Sequence, residues 1–192
     1  MRSPHVRPEE SALVERARSG DLDAFDRLAR AHLATLYSVL FRLVGNHEDA
    51  EDLAQDALER AFRALHLYRG DASFRSWVVR IAVHLARDHQ RRGGRVALAG
   101  ILELEAPEPR PDPRQSASTG ELVRAAAAAI AALPESLRVA LVLRVLEGMD
   151  YVEVARATAV RPGTVRTQVM KARRLLAQAL GPWLGGPDGG AS

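Results

Sequence analysis

Four prolines at alternate positions, Pro107, Pro109, Pro111 and Pro113, limit how this chain can fold more than any other feature. Proline lacks an amide hydrogen and clashes with the preceding turn, so no helix runs through that series, and alternating prolines favour semi-extended backbone. The surrounding stretch, Gly93 to Thr119, adds glutamates, serines and small residues, the composition of a linker. On either side apolar residues recur at helical spacing, and no strand-like alternation appears. The chain therefore reads as all-α, with two small helical domains over residues 1–92 and 120–180 joined by a flexible linker over 93–119. A glycine- and proline-rich tail, 181–192, is expected to be disordered beyond Leu184. At 192 residues there is enough chain for each half to bury a core of its own.

Composition excludes several classes of function. There is no cysteine, hence no disulfide framework, thiolate nucleophile or zinc-thiolate site, and any thiol-based sensing must reside in a partner. No apolar run approaches the roughly 20 residues of a membrane span, and the N-terminus has no signal-peptide core, so a cytoplasmic protein without membrane insertion is expected. The net charge is only +3, yet Lys171 is the one lysine and the other basic residues are arginines. That bias suits bidentate phosphate and base-edge contacts, and equally suits a coding bias that also enriches alanine and glycine.

In the first half, Glu9 to Ser19 and Asp21 to Val44 read as helices, and Gly45-Asn46 ends the second and caps a third, which runs to about Leu65. Its inward stripe is Ala50, Leu53, Ala54, Ala57, Leu58, Ala61, Phe62 and Leu65. Its outward side is acidic: the helix dipole explains Glu48, Asp49 and Glu51 in the first turn, but Asp52, Gln55, Asp56 and Glu59 extend beyond its reach. Such a row is either a solvated face or a docking surface for a basic partner.

The stretch from Leu67 to Arg92 opens with a loop, Tyr68, Arg69, Gly70, Asp71, Ala72 and Ser73, in which Gly70 and Asp71 are turn formers and Tyr68 offers a stacking ring. From Phe74 a helix buries one face through Phe74, Trp77, Val78, Ile81, Ala82 and Leu85. Arg75, Arg80, Arg87, Arg91 and Arg92 lie on or beside the other face with His84 and His89, opposed only by Asp88. A loop followed by a cationic helix can hold single-stranded nucleic acid. The spacing of His84, Asp88 and His89 also fits two metal ligands, but no third ligand or general base accompanies them, so neither an enzyme nor a metal or cofactor site is expected.

In the second half a helix from Glu121 to Ala132 leads through Pro134 into another, Glu135 to Leu146, and Gly148 breaks the chain. Asp150 then caps a short helix, Tyr151 to Thr158, and Pro162 opens a longer one to about Leu180 whose Val165, Val169, Ala172, Leu176 and Ala179 face inward. Arg161, Arg166, Thr167, Gln168, Lys171, Arg173 and Arg174 supply polar groups without a carboxylate. A short helix, a tight turn and a cationic second helix form a helix-turn-helix suited to the major groove.

With both halves read, AEDLAQDALERAFRAL, YRGDASFRSWVVRIAVHLARDHQRR and LPESLRVALVLRVLEGMDYVEVARATAVRPGTVRTQVMKARRLL together resemble bacterial RNA polymerase sigma factors of the extracytoplasmic-function group, over about residues 9 to 180. The resemblance implies a dissociable polymerase subunit whose first domain melts and reads the minus-ten promoter element and whose second reads the minus-thirty-five element. It implies docking of Asp52, Gln55, Asp56 and Glu59 on the clamp helices of the largest polymerase subunit, and a second contact with the flap of the second-largest. The loop from Tyr68 to Ser73 matches the one that captures a flipped base of the non-template strand, with Trp77, Arg80, His84 and Arg87 on the adjoining helix. Arg161, Thr164, Arg166, Thr167, Gln168, Lys171 and Arg173 match the start and exposed face of the recognition helix. An anti-sigma factor is the regulator the resemblance implies.

Three positions depart from the family pattern. His84 stands where asparagine is common, replacing an amide's donor and acceptor pair. Gln168 replaces a frequent arginine, exchanging a guanine-favouring fork for one that pairs with adenine. Ala159 occupies a turn position usually held by glycine, at roughly 1 to 2 kcal/mol if the residue is left-handed. The alternative reading, a helix-turn-helix activator that does not replace a sigma subunit, gives the acidic and arginine helices no role.

Overall fold

A computed structural model of the chain describes residues 8–93 and 113–184. Described residues are helical or in turns, with no strand among them. The first half contains α1 (Pro8–Arg18), α2 (Leu22–Val44), α3 (His47–Ala64), a 3-10 turn (Leu65–Leu67) and α4 (Phe74–Arg91). The cap expected at Asn46 forms, accepting from the Asp49 amide at 3.1 Å, and two the sequence reading did not name form beside it: Asp21 accepts from the Ala24 amide at 3.0 Å and Ser73 from the Ser76 amide at 3.2 Å. Gly45 takes the left-handed conformation, φ 77°, that lets α2 end and α3 leave in a new direction. α2 packs against α1, α3 and α4, which makes a four-helix bundle.

The second half contains α5 (Pro113–Ala131), α6 (Glu135–Leu141) widening into a π-helical turn (Val142–Leu146), α7 (Tyr151–Thr158) and α8 (Pro162–Leu184). α5 begins eight residues before the expected Glu121, because Pro113 sits at its first position, where the missing amide hydrogen has no helical partner to lose. α8 runs past Leu180 through Pro182, which forfeits one hydrogen bond in the last turn. The remaining linker, with its apolar patch Val96 to Leu104, and the end of the tail lie outside the described residues.

The two helical halves expected from the sequence form, and their apolar cores meet. Ala127, Ile130, Leu133, Leu137, Leu141 and Ala172 form a small cluster within the second half, but Leu143, Met149, Val154 and Ala157 join Leu28, Leu40, Phe74 and Val78 in one larger core. The reason lies in α4. Beside the expected face, a second row at Val79, Val83 and Ala86 is at most 1% exposed, about 120° round the helix from the first at 100° per residue. α4 is packed by α2 and α3 from its own half and by α7 from the other, so two faces are buried and a narrow strip remains. Two apolar positions also fail to turn inward. Phe62 is 43% exposed and meets Phe25 edge-on with ring centroids 4.9 Å apart, and Ala179 lies exposed beyond the end of the packed region of α8.

Polar groups fasten the junction. The Glu147 carboxylate, its side chain 8% exposed, accepts from the Ser38 hydroxyl at 2.7 Å and from the Arg42 guanidinium. Its own carbonyl accepts from Arg75 at 2.9 Å. Arg138, buried, donates to the carbonyls of Ala131 and Leu133, both at 3.0 Å, and to Gln90 Oε1 at 3.1 Å, while Gln90 donates to the Leu43 carbonyl at 2.9 Å.

Ala159 ends α7 at φ 57°, ψ 38°. It is the only non-glycine residue of positive φ among those described. Replacing it by glycine removes the Cβ clash but loosens the unfolded chain, so Ala159→Gly is expected to stabilise the fold by a net of about 1 kcal/mol. Chemical denaturation measures this, and an unchanged or lower midpoint would refute the strain.

Candidate nucleic-acid interface

The acidic row of α3 is solvent-facing. Asp52, Gln55, Asp56 and Glu59 are all exposed, and Glu59 alone of the four is engaged, with Arg63 one turn on. Asp52 and Asp56 have no ion pair among the described residues. Asp49, at the helix start, faces His89 of α4 at 3.4 Å.

At the other end of the first half, the loop 68–73 closes on itself. Gly70 takes φ 73°, and the Tyr68 hydroxyl donates to the Ala72 carbonyl at 2.5 Å. The expected free stacking ring is corrected: Tyr68 is 5% exposed and packs against Phe74 and Trp77, with centroids 5.8 Å and 5.1 Å away. A large aromatic next to an apolar helix start gains more from burial than from projecting into water. The Tyr68 phenol is pushed up to about 12, first by burial and then by the Glu10 and Asp71 carboxylates. What the loop and α4 offer instead is a cleft of about 600 Å³, whose lining includes Tyr68, Arg69, Asp71, Trp77 and Arg80. Its walls combine ring faces, cationic groups and a carboxylate, the mixture that suits an unstacked base. Arg156 of α7 also lines it, a residue that the sequence did not single out because its place depends on how the halves pack.

The arginines of α4 divide between two tasks. Arg80 and His84 are exposed on the strip that packing leaves open. Arg75 and Arg87, expected on the same surface, are half-buried and held by the second half, Arg75 on the Glu147 carbonyl and Arg87 on Glu135 at 2.6 Å. No group of three His, Cys, Asp or Glu side chains able to hold a metal occurs among the described residues.

In the second half, the Asp150–Glu153 capping box fixes the start of α7 and the left-handed Ala159 turns the chain into α8. Arg161, Thr164, Arg166, Thr167, Lys171 and Arg173 are exposed and Gln168 partly so, along one side of α8. Val165, Val169 and Ala172, at most 1% exposed, hold the opposite side in the core. The sequence reading missed Met170, 71% exposed amid these residues. Its register, four after Arg166 and three after Thr167, was the available signal, and an apolar side chain there can meet a thymine methyl.

Residues 28–96 match the family model for Sigma-70 region 2 and residues 124–176 that for Sigma-70, region 4. The chain is 34% identical over 185 residues to the RNA polymerase sigma-H factor of Pseudomonas aeruginosa, covering 92% of this chain and 96% of that protein. It is 32% identical over 182 residues to the ECF RNA polymerase sigma-E factor of Escherichia coli K12, covering 90% and 95%. In fold it is similar to CnrH in complex with the cytosolic domain of CnrY (TM-score 0.68, 24% identity, 91% of this chain and 98% of that one). It is also similar to the sigma factor RpoE in complex with the anti-sigma factor NepR from Bartonella quintana (TM-score 0.62, 21% identity, 83% and 98%).

Because the unfolded chain ionises its tyrosines near pH 10 while folded Tyr68 holds its proton to about 12, Tyr68 contributes stability that is full below pH 10 and is lost as pH rises to about 12. In an ultraviolet titration of the three tyrosines, one phenolate step is expected late, near pH 12, and absent from Tyr68→Phe. Absence of that late step from the wild type, with helical signal intact, would contradict the burial.

Proposed function

The chain belongs to the extracytoplasmic-function group of sigma-70 factors, and on that premise we propose a division of labour among its surfaces. It is a sigma factor, a subunit through which RNA polymerase initiates at specific promoters. The acidic row Asp52, Gln55, Asp56 and Glu59 docks on the clamp helices of the largest polymerase subunit, and the helix-turn-helix half reaches the flap of the second-largest. The cleft beside loop 68–73 receives a flipped base of the melted minus-ten element, with Trp77, Arg80 and His84 along the strand. The exposed face of α8 from Arg161 to Arg173, with Met170, reads the minus-thirty-five element in the major groove. Residues 1–92 and 120–180 act as the two functional domains and 93–119 as the tether. The chain contributes binding energy and no catalytic group, and it works in the cytoplasm, where polymerase does; no described helix is long and apolar enough to cross a membrane.

The observation that carries this reading is the separation of charge: an acidic row on one helix, with Asp52 and Asp56 in no ion pair among the described residues, and exposed cationic groups on two others, Arg80 and His84 on α4 and those from Arg161 to Arg173 along α8. An activator that leaves the sigma subunit in place has no use for the first. The complexes of the similar folds with CnrY and NepR support an anti-sigma protein as this chain's regulator.

The packed halves add a requirement. Elements named for positions minus ten and minus thirty-five lie roughly 25 base pairs apart, about 85 Å at 3.4 Å per step, whereas a compact chain of this length has a radius of gyration of about 16 Å. To read both at once, the halves must come apart on polymerase.

Mixed with core polymerase, the chain is expected to support transcription from promoters sharing a pair of upstream motifs. Reversing charge in Asp52→Lys/Asp56→Lys is expected to weaken polymerase binding about tenfold without changing the unfolding midpoint. Replacing Arg166 and Lys171 by alanine is expected to lower the salt dependence of promoter binding by up to about one unit of slope for each phosphate that the variant no longer neutralises. Equal polymerase affinity of the charge-reversed chain would remove the docking assignment, and an unchanged slope would remove that of α8.

A further inference from the structure

Tyr151 is the first residue of α7, and its place is fixed from both sides. Gly148 turns the chain at φ 65°, Met149 is fully buried, and the Asp150–Glu153 capping box begins the helix. The Tyr151 ring is half-buried and packs against the main core. Two guanidinium groups lie over it: that of Arg144, from the π-helical turn, 4.9 Å from the ring centroid, and that of Arg166, from α8, at 5.3 Å. Neither arginine has an ion-pair or hydrogen-bond partner among the described residues, and the Arg144 Nε is buried without one. The ring is thus the one group that both engage.

Several surface arginines are tied to carboxylates: Arg16 to Asp21, Arg30 to Asp26, Arg63 to Glu59 and Arg91 to Asp88. Neutralised in that way, a guanidinium has little attraction for phosphate. An aromatic face restricts the guanidinium plane through its quadrupole and leaves both the positive charge and the N–H edges available. Arg166 belongs to the exposed side of α8, one position before Thr167 and four before Met170. Both guanidinium groups lie within about 5 Å of the same ring and keep their charge available to an anion.

We infer that Tyr151 is a positioning residue for recognition of the upstream promoter element: its ring holds Arg166 in the pose that meets DNA and sets Arg144 beside it as a second cation for the same backbone. This rests on the assignment of α8 as recognition helix, and it extends the DNA-facing surface to two residues outside that helix. A purely structural tyrosine would need only its apolar bulk, so leucine would serve; a hydroxyl contact would be missing equally in phenylalanine. Positioning by the ring face requires the third pattern, in which phenylalanine serves and leucine does not.

The test uses the full chain bound to core polymerase and a promoter duplex selected by the wild-type complex from a randomised pool, with affinity read by fluorescence anisotropy. Tyr151→Leu is expected to weaken binding about 3- to 10-fold, Tyr151→Phe less than about twofold. Arg166→Ala should cost clearly less in the leucine background than in wild type, the mark of two residues acting as one unit. Variants are compared after checking that unfolding midpoints match. Should Arg166→Ala alone change nothing, the recognition-helix assignment fails and takes this inference with it. Should Arg166→Ala weaken binding while leucine is silent, while phenylalanine falls as far as leucine, or while the two losses multiply independently, the assignment stands and the positioning role of Tyr151 is overturned.

Discussion

The organisation of this molecule depends on how α4 is buried. With Phe74, Val78, Ala82 and Leu85 on one side and Val79, Val83 and Ala86 on another, it is the apolar spine that both halves share. Each such side chain removed from water is worth roughly 1 to 3 kcal/mol, less for alanine, so the second row gives α7 a reason to sit on α4 that needs no polar contact. The Glu147 clamp then selects the geometry. A carboxylate with so little exposure is tolerable only because Ser38 and Arg42 both donate to it, and withdrawing either donor leaves a buried charge uncompensated.

That arrangement explains the shape of the nucleic-acid surface. Because two faces of α4 are occupied, its cationic groups are confined to a strip carrying Arg80 and His84, while Arg75 and Arg87 are diverted into the junction. In the open form proposed above, those two arginines would leave their partners at Glu147 and Glu135 and become available to phosphate. The same event removes Arg156 from the cleft beside loop 68–73. On the proposal that the halves open on polymerase, groups that hold the closed form together would become free to bind the opened strand. The acidic row of α3 is exposed while the halves are packed together.

Much of this was legible in the sequence because it is local. Asn46 and Asp150 cap helices for reasons contained within a single turn of chain, and the strain at Ala159 follows from a turn too tight for right-handed backbone. What escaped was what depends on a distant partner. Val79, Val83 and Ala86 are small enough to pass for ordinary helix filler until another helix covers them. Tyr68 offers either a ring for stacking or one for burial, and only the placement of Phe74 and Trp77 decides. Phe62, by contrast, follows the inward stripe of α3 and yet emerges near its end, where the edge of Phe25 from α2 covers only part of its ring. Met170 did not stand out because an apolar side chain on an otherwise polar helix face carries no charge signal.

The central claim is that one chain holds two states, a closed form sharing a core across α4 and an open form on polymerase. The absence of cysteine allows clean labelling: dyes on Ala12→Cys in α1 and Gln178→Cys in α8, both exposed positions, report the separation of the halves by energy transfer. The account predicts efficient transfer in the free chain and its disappearance on adding core polymerase. Equal transfer in both conditions, from a complex that still transcribes, would contradict it.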